Sequence, residues 1–119
     1  MSLIYPFLKN VEQAVKNAIH TLEVIQDLSG QALTAGDDVF SEDLGIDFDG
    51  WVRVQVVLTA DAVVEVKLNG AYGALNNGTA LTAGNLYEFD VTVTEGDSLN
   101  LRVSASQTPS LLRLIKCLL

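Results

Sequence analysis

The chain has 119 residues, a length that suits one domain, with 49% hydrophobic and 18% charged residues. Its net charge of −8 and the scatter of its 7 Lys and Arg residues argue against a nucleic-acid partner, which needs clustered cations. No apolar run approaches the ~20 residues of a membrane span. The apolar first residues lack the basic region and cleavage site of a signal peptide. The sequence therefore predicts neither membrane insertion nor an export signal.

Residues 1–28 are the part of the chain whose hydrophobic pattern is not typical of β-strands. Pro6 suits the first turn of a helix, and we predict a helix from about Pro6 to Asn17. The residues from His20 to Gln26 are β-prone and are compatible with a first strand. A heptad-like apolar stripe at alternating spacings of three and four consists of Leu8, Val11, Val15, Ala18, Leu22 and Ile25.

Two alternatives follow for this stripe. The helix packs on its own domain, or helices from several copies bundle along the stripe, which makes its six residues an oligomer interface. The high hydrophobic content also has two explanations, burial between copies or a Val- and Leu-rich core. We assign residues 1–28 to an N-terminal helix or arm with a role in assembly, and residues 29–119 to a β-sandwich domain.

The five residues Ala32–Gly36, A-L-T-A-G, return at Ala80–Gly84. In each copy an acidic or amide residue follows, and then a segment that reads as a mixed strand, at 39–41 and at 86–89. A glycine between two short strands suits a tight turn with positive φ. The repeat predicts two equivalent turns in two similar halves, as in a double Greek key.

The segment 37–49 concentrates carboxylates between apolar residues. A calcium site is one reading, because this ion takes clustered oxygen ligands, but the spacing does not fit the EF-hand pattern. We favour solvated carboxylates in a loop or at a sheet edge. The carboxylates concerned are Asp37, Asp38, Glu42, Asp43, Asp47 and Asp49.

Strand patterns are strongest after Gly50. Trp51–Thr59 alternates, with Val52, Val54 and Val56 on one face, and 63–68 alternates in the same way. Residues 59–62 are predicted to join these two strands as a hairpin.

The glycine- and asparagine-rich segment 69–78 is predicted to be a structured loop with a short extended piece at Tyr72. It is the candidate ligand loop, with Tyr72 as a stacking surface for a polar ligand or sugar and Asn76 and Asn77 as hydrogen-bonding groups. The alternative, which we favour, is that Asn and Gly are there for left-handed backbone geometry.

The last third of the chain predicts three more strands. Segments 86–94 and 99–103 alternate around the turn at 95–97 and are predicted to form a hairpin. Leu111–Leu119 alternates and ends on apolar residues. Because a fraying tail is usually polar, we expect this end to be tied into a sheet or an intersubunit contact.

The inventory of reactive side chains does not suggest an enzyme. The chain has one histidine, His20, and one cysteine, Cys117, which cannot together build a zinc site within one copy. No nucleophile, phosphate-binding or dinucleotide-binding motif is present, so we expect no catalytic residue, metal or cofactor.

The strands at regular spacing predict a mainly β protein, an antiparallel β-sandwich that is jelly-roll-like and is preceded by one amphipathic helix. The run A-G-N-L-Y-E-F-D-V-T-V-T-E-G-D-S-L-N from Ala83 to Asn100 resembles small structural proteins of tailed bacteriophages and archaeal viruses. The likeness extends over about residues 37–103.

This resemblance implies a capsid decoration, head-fibre or tail-adaptor type of protein, commonly a β-sandwich that works as a trimer or other oligomer. We therefore expect a non-enzymatic virion structural protein, made in the host cytoplasm, that binds itself and other virion proteins on a capsid or tail surface. The alternative is a carbohydrate-binding or adhesive β-sandwich.

Overall fold

The computed structural model describes residues 22–118, so the helix expected at Pro6–Asn17 and the stripe residues Leu8, Val11, Val15 and Ala18 lie outside the described range. The described residues form eight strands and one 3-10 turn at Asn76–Gly78. The strands are β1 Leu22–Asp27, β2 Leu44–Gly45, β3 Gly50–Val57, β4 Val64–Leu68, β5 Ala71–Ala74, β6 Tyr87–Val93, β7 Ser98–Val103 and β8 Leu111–Leu118.

The strands form two antiparallel sheets. Sheet one has the order β1-β8-β3-β6, and sheet two has the order β2-β7-β4-β5. The pairing is nested, because the first strand pairs with the eighth, the second with the seventh, the third with the sixth and the fourth with the fifth. The contacts of β8 with β3 and of β7 with β4 complete the sheets. The predicted antiparallel β-sandwich is confirmed.

The core lies between the inner faces of the two sheets. Val52, Val54 and Val56 of β3 are fully buried, while the residues between them are partly exposed, as the alternating sequence predicts. Strand β8 contributes Leu112 and Leu114 to the same layer. The end of the chain is tied into sheet one between β1 and β3, as its apolar character indicates.

The repeated pentapeptide forms two equivalent turns. Gly36 and Gly84 have φ values of 78° and 85°. Their amides donate to the carbonyl oxygens of Val103 and Leu58, each over 2.9 Å. In both copies the leucine is buried and makes an isolated β-bridge. The prediction of equivalent turns with positive φ is confirmed.

Two predicted hairpins are wrong. Strands β3 and β4 lie in different sheets, and so do β6 and β7, so each of these connections passes from one sheet to the other. Consecutive strands face each other across the core here instead of lying side by side. Among residues 22–118, the consecutive strands that do pair are β4 and β5, around Asn69 and Gly70 with φ values of 51° and 83°. Two left-handed residues are what the tightest hairpin turn requires.

Two further segments are placed by their pairing. Strand β1 pairs with β8, so residues 22–27 of the segment assigned to the N-terminal arm lie in sheet one. The strand expected at 39–41 is a loop, because its backbone bonds to β7 mainly through one side chain. Val39 N donates to Leu101 O over 2.8 Å, and Phe40 N donates to Asn100 Oδ1 over 3.0 Å.

Candidate functional site

Tyr72 lies on β5 at the edge of sheet two, in the middle of a polar network. Its hydroxyl donates to Asp38 Oδ1 over 2.5 Å, and Arg102 Cζ lies 3.5 Å from the centre of its ring. Lys67, directly opposite on β4, places Nζ 5.7 Å from the same centre. These are cation–π contacts, so part of the ring already has a partner within the chain. We call this network the Tyr72 cluster; its members are Asp38, Asp43, Glu65, Lys67, Tyr72 and Arg102.

The charges of the Tyr72 cluster are paired with one another. Arg102 binds Glu65 through two parallel hydrogen bonds of 3.2 and 3.1 Å. Lys67 Nζ lies 3.2 Å from Asp38 Oδ2 and 3.4 Å from Asp43 Oδ1. Cross-strand register explains the first pair, because Glu65 and Arg102 are direct neighbours on β4 and β7. Both cations of the cluster therefore have carboxylate partners in place.

Asn100 anchors the loop that supplies the acidic members of the cluster. It is 1% exposed, and its Oδ1 accepts from Phe40 N over 3.0 Å and from Leu101 N over 2.8 Å. Its Nδ2 donates to Phe40 O over 3.0 Å and to Asp43 Oδ1 over 2.8 Å. All hydrogen-bonding capacity of the buried amide is thus directed at the loop and its own strand, which holds Asp43 against sheet two.

The hydrogen bonds of the cluster shift the pKa values of three of its side chains. The hydrogen bond from the Tyr72 hydroxyl lowers the pKa of Asp38, and the same bond raises the pKa of Tyr72. The hydrogen bond to Asp38 raises the pKa of Lys67. At neutral pH the carboxylate and the ammonium are charged and the phenol is neutral. The cluster thus holds a stable charge pattern and offers no activated nucleophile.

Asn76 and Asn77 do not join Tyr72. Both asparagines lie in the 3-10 turn and have φ values of 55° and 54°. Asn76 Nδ2 donates to Thr79 O over 3.4 Å within the same turn, and no hydrogen bond between described residues links either asparagine to Tyr72. Both asparagines have the left-handed backbone geometry of the favoured interpretation.

Four carboxylates of segment 37–49 bind or face three different partners. Asp38 and Asp43 face Lys67, Asp49 Oδ1 accepts from Glu95 N over 3.0 Å, and Asp47 Oδ1 lies 3.9 Å from Lys116 Nζ. Within residues 22–118, no group of three or more His, Cys, Asp or Glu side chains is arranged to hold a metal ion.

Two of the cavities formed by the described residues open at the margins of the sandwich. The larger, of about 240 Å³, lies between the edges formed by β1 and β2 and is lined by residues 25–26 and 44–48. The other, of about 140 Å³, is lined by segments 31–34 and 37–39. Small-molecule sites usually measure roughly 300–1,000 Å³ and carry convergent polar groups. Neither cavity has this character.

Three exposed apolar side chains lie near one end of sheet one, Leu22 and Val24 on one face and Leu118, by the alternation of β8, on the other. Leu22 and Val24 on β1 and Leu118 at the end of β8 are 55%, 48% and 37% exposed. Leu22 pairs with Cys117, so β1 begins where β8 ends. We call these three residues the apolar corner. Of the predicted stripe, Leu22 and Ile25 lie on a strand, so the helical spacing does not extend through them, and Ile25 packs against the core of its own domain.

Val24 and Arg102 were not predicted as site residues. The alternation of β7 places Arg102 on the outer face of sheet two, but its contact with Tyr72 depends on the register across β4. Leu118 belongs to the apolar end that was expected in a sheet or an intersubunit contact; it lies at the end of β8 and is exposed.

In comparisons with known proteins, no protein-family model, no curated protein and no solved structure matches the chain. Among residues 22–118, no helix has the length and apolar character to cross a membrane.

Proposed function

We propose that this protein is a non-enzymatic structural protein of a virion that self-associates and docks on a capsid or tail surface. The apolar corner carries the proposal, because burial of these three exposed apolar side chains against another copy would be favourable. Among residues 22–118, β1 is an edge strand of sheet one, and an edge of this kind offers backbone groups for pairing at the same corner. We propose a homo-oligomer, with a trimer favoured, built through this corner.

The proposed fold is a jelly roll. Nested pairing of eight strands in two four-stranded sheets supports it, since a jelly roll is a long hairpin rolled into two Greek keys. Jelly rolls recur in viral capsid proteins and in lectins, so the fold is compatible with both functions considered for the chain.

The mass of the full chain in solution, measured by light scattering over a range of concentrations, tests the proposal. The proposal predicts a trimer or larger assembly that Val24→Glu dissociates, because a charge would be buried at the apolar corner. Thr92→Glu is the matched control, since it adds the same charge to an exposed residue on the other edge strand, β6. A monomer at every concentration, or equal dissociation by both variants, would contradict self-association through this corner.

A carbohydrate-binding or adhesive role is the second candidate, and the exposed part of the Tyr72 ring favours it. The support is weaker, because the hydroxyl of Tyr72 is bound to Asp38 and the two asparagines do not converge on the ring. Binding on a glycan array that is lost in Tyr72→Ala would move the assignment to this role.

A further inference from the structure

The chain contains two asparagines that are followed by glycine, Asn69 before Gly70 and Asn77 before Gly78. Both asparagines are left-handed, with φ values of 51° and 54°. A following glycine makes the carboxamide labile, because a residue without a Cβ leaves its backbone nitrogen accessible to the carbonyl carbon of the preceding side chain. The same reactive dipeptide thus occurs twice in one chain, in two different surroundings.

The carboxamide of Asn69 is held at both ends. Its Nδ2 donates to Asp97 Oδ1 over 2.9 Å, and its Oδ1 accepts from Ser98 N over 2.9 Å. The bond from Asn69 lowers the pKa of Asp97, so the acceptor is charged at neutral pH, and Thr94 N fixes its other oxygen over 2.8 Å. Any reaction that rotates the Asn69 side chain must first break both of its hydrogen bonds.

The carboxamide of Asn77 is held by no side-chain hydrogen bond among residues 22–118. Asn77 is exposed and lies in the 3-10 turn, which contains no buried residue. The bonds of the turn belong to its neighbours and are long, 3.2 Å from Gly78 N to Leu75 O and 3.4 Å from Asn76 Nδ2 to Thr79 O. An exposed turn with such bonds opens locally at small cost.

We propose that Asn77 is a site of spontaneous deamidation and that the fold protects Asn69 from the same reaction. When the turn opens, the backbone nitrogen of Gly78 attacks Cγ of Asn77 and gives its proton to the solvent. The bond from Cγ to Nδ2 breaks, and ammonia leaves a cyclic imide. Water then adds to one of the two imide carbonyl groups and reopens the ring to aspartate or isoaspartate.

The modification changes the turn that follows β5. Either product adds a negative charge to a chain whose net charge is already −8. Isoaspartate also lengthens the main chain within the turn, so we expect the hydrogen bond from Gly78 N to Leu75 O to be lost. The candidate ligand loop would therefore change its shape and charge as the protein ages. The reaction needs no partner chain, so the proposal is independent of the virion role.

The test incubates the full chain in weakly alkaline buffer and follows both asparagines by peptide mass spectrometry, with chromatographic separation of aspartate from isoaspartate. We expect Asn77 to convert at least about tenfold faster than Asn69, which corresponds to about 1.4 kcal/mol and is within the reach of two hydrogen bonds. In urea, where the fold no longer holds either side chain, the two rates should become similar.

A variant isolates the lock on Asn69. Asp97→Ala removes the acceptor of Asn69 Nδ2, and conversion of Asn69 should then accelerate several-fold while Asn77 keeps its rate. Glu95→Ala is the matched control, because it removes an exposed carboxylate from the same turn and leaves Asp97 in place. The comparison in urea uses the unchanged sequence, so the test does not depend on how well Asp97→Ala folds.

Equal rates at the two asparagines of the folded chain would overturn the proposal, as would faster conversion of Asn69. A difference that persists in urea would overturn it as well, because the protection of Asn69 would then come from the neighbouring sequence and not from the fold.

Discussion

Replacing Gly50 with alanine tests how closely β3 and β8 approach at one end of sheet one. Gly50 has φ of +153°, which side chains rarely adopt, and a Cβ there would overlap the carbonyl oxygen of Cys117 and lie 3.1 Å from its carbonyl carbon. The strained backbone costs about 1–3 kcal/mol, and a clash that forces a shift of the backbone adds about 1–3 kcal/mol. We expect a loss of about 2–6 kcal/mol from a total stability of about 5–15 kcal/mol.

Two other glycines separate the strain from the clash. Gly84 has φ of +85° with no atom within 4 Å of a built Cβ, so its alanine variant loses only about 1–2 kcal/mol. Gly45 has neither feature, and its variant stays within about 0.5 kcal/mol of the wild type. The assay is urea unfolding followed by circular dichroism. If Gly50→Ala is as stable as Gly84→Ala, the close approach of β8 at Gly50 is refuted.

Two further predictions concern the Tyr72 cluster. Asn100→Ala should lose about 2–4 kcal/mol of unfolding free energy, because the buried groups that bind the amide are left unpaired. Hydrogen exchange of the Phe40 amide should accelerate in this variant. Exchange as slow as in the wild type would contradict the anchoring role of Asn100. Tyr72→Phe should raise the pKa of Asp38 towards its ordinary value, as measured by NMR titration. A lowered pKa of Asp38 stabilises the folded state at pH values above the unfolded pKa of about 3.9. This contribution is lost as pH falls through the folded pKa. The Tyr72→Phe variant should therefore be less stable than the wild type at neutral pH, and the difference should vanish in acid. Tyr87→Phe, outside the cluster, should leave the Asp38 titration unchanged.

Patterns that repeat within one strand or one turn could be predicted from the sequence. The alternation of Val52, Val54 and Val56 identifies the buried face of β3, because neighbouring side chains of a strand point to opposite sides. The repeated A-L-T-A-G identifies two equal turns, because its glycines at 36 and 84 need the same backbone conformation. In both cases the deciding interaction lies within a few residues.

Strand pairing could not be predicted in this way. A short polar connection between two alternating strands has the same sequence character in a hairpin and in a connection that crosses from one sheet to the other. The connections β3–β4 and β6–β7 are of the second kind. The choice depends on partners far away in the chain, such as β8 beside β3. The candidate site could not be predicted for the same reason. Arg102 stacks on Tyr72 although the two residues are thirty positions apart, and only the strand register across β4 brings them together.

The nested pairing has a consequence for how the chain folds. Strands β1 and β3 both require β8, which follows them all in the sequence, so sheet one stays incomplete until residues 111–118 are present. Domains dominated by such distant pairings fold in roughly milliseconds to seconds, because each closure orders a long loop before it gains contacts. During that interval β1 and β3 have open edges at which chains can aggregate. Completion of sheet one therefore waits for the C-terminal strand, and conditions that delay β8 favour misassembly over slow folding.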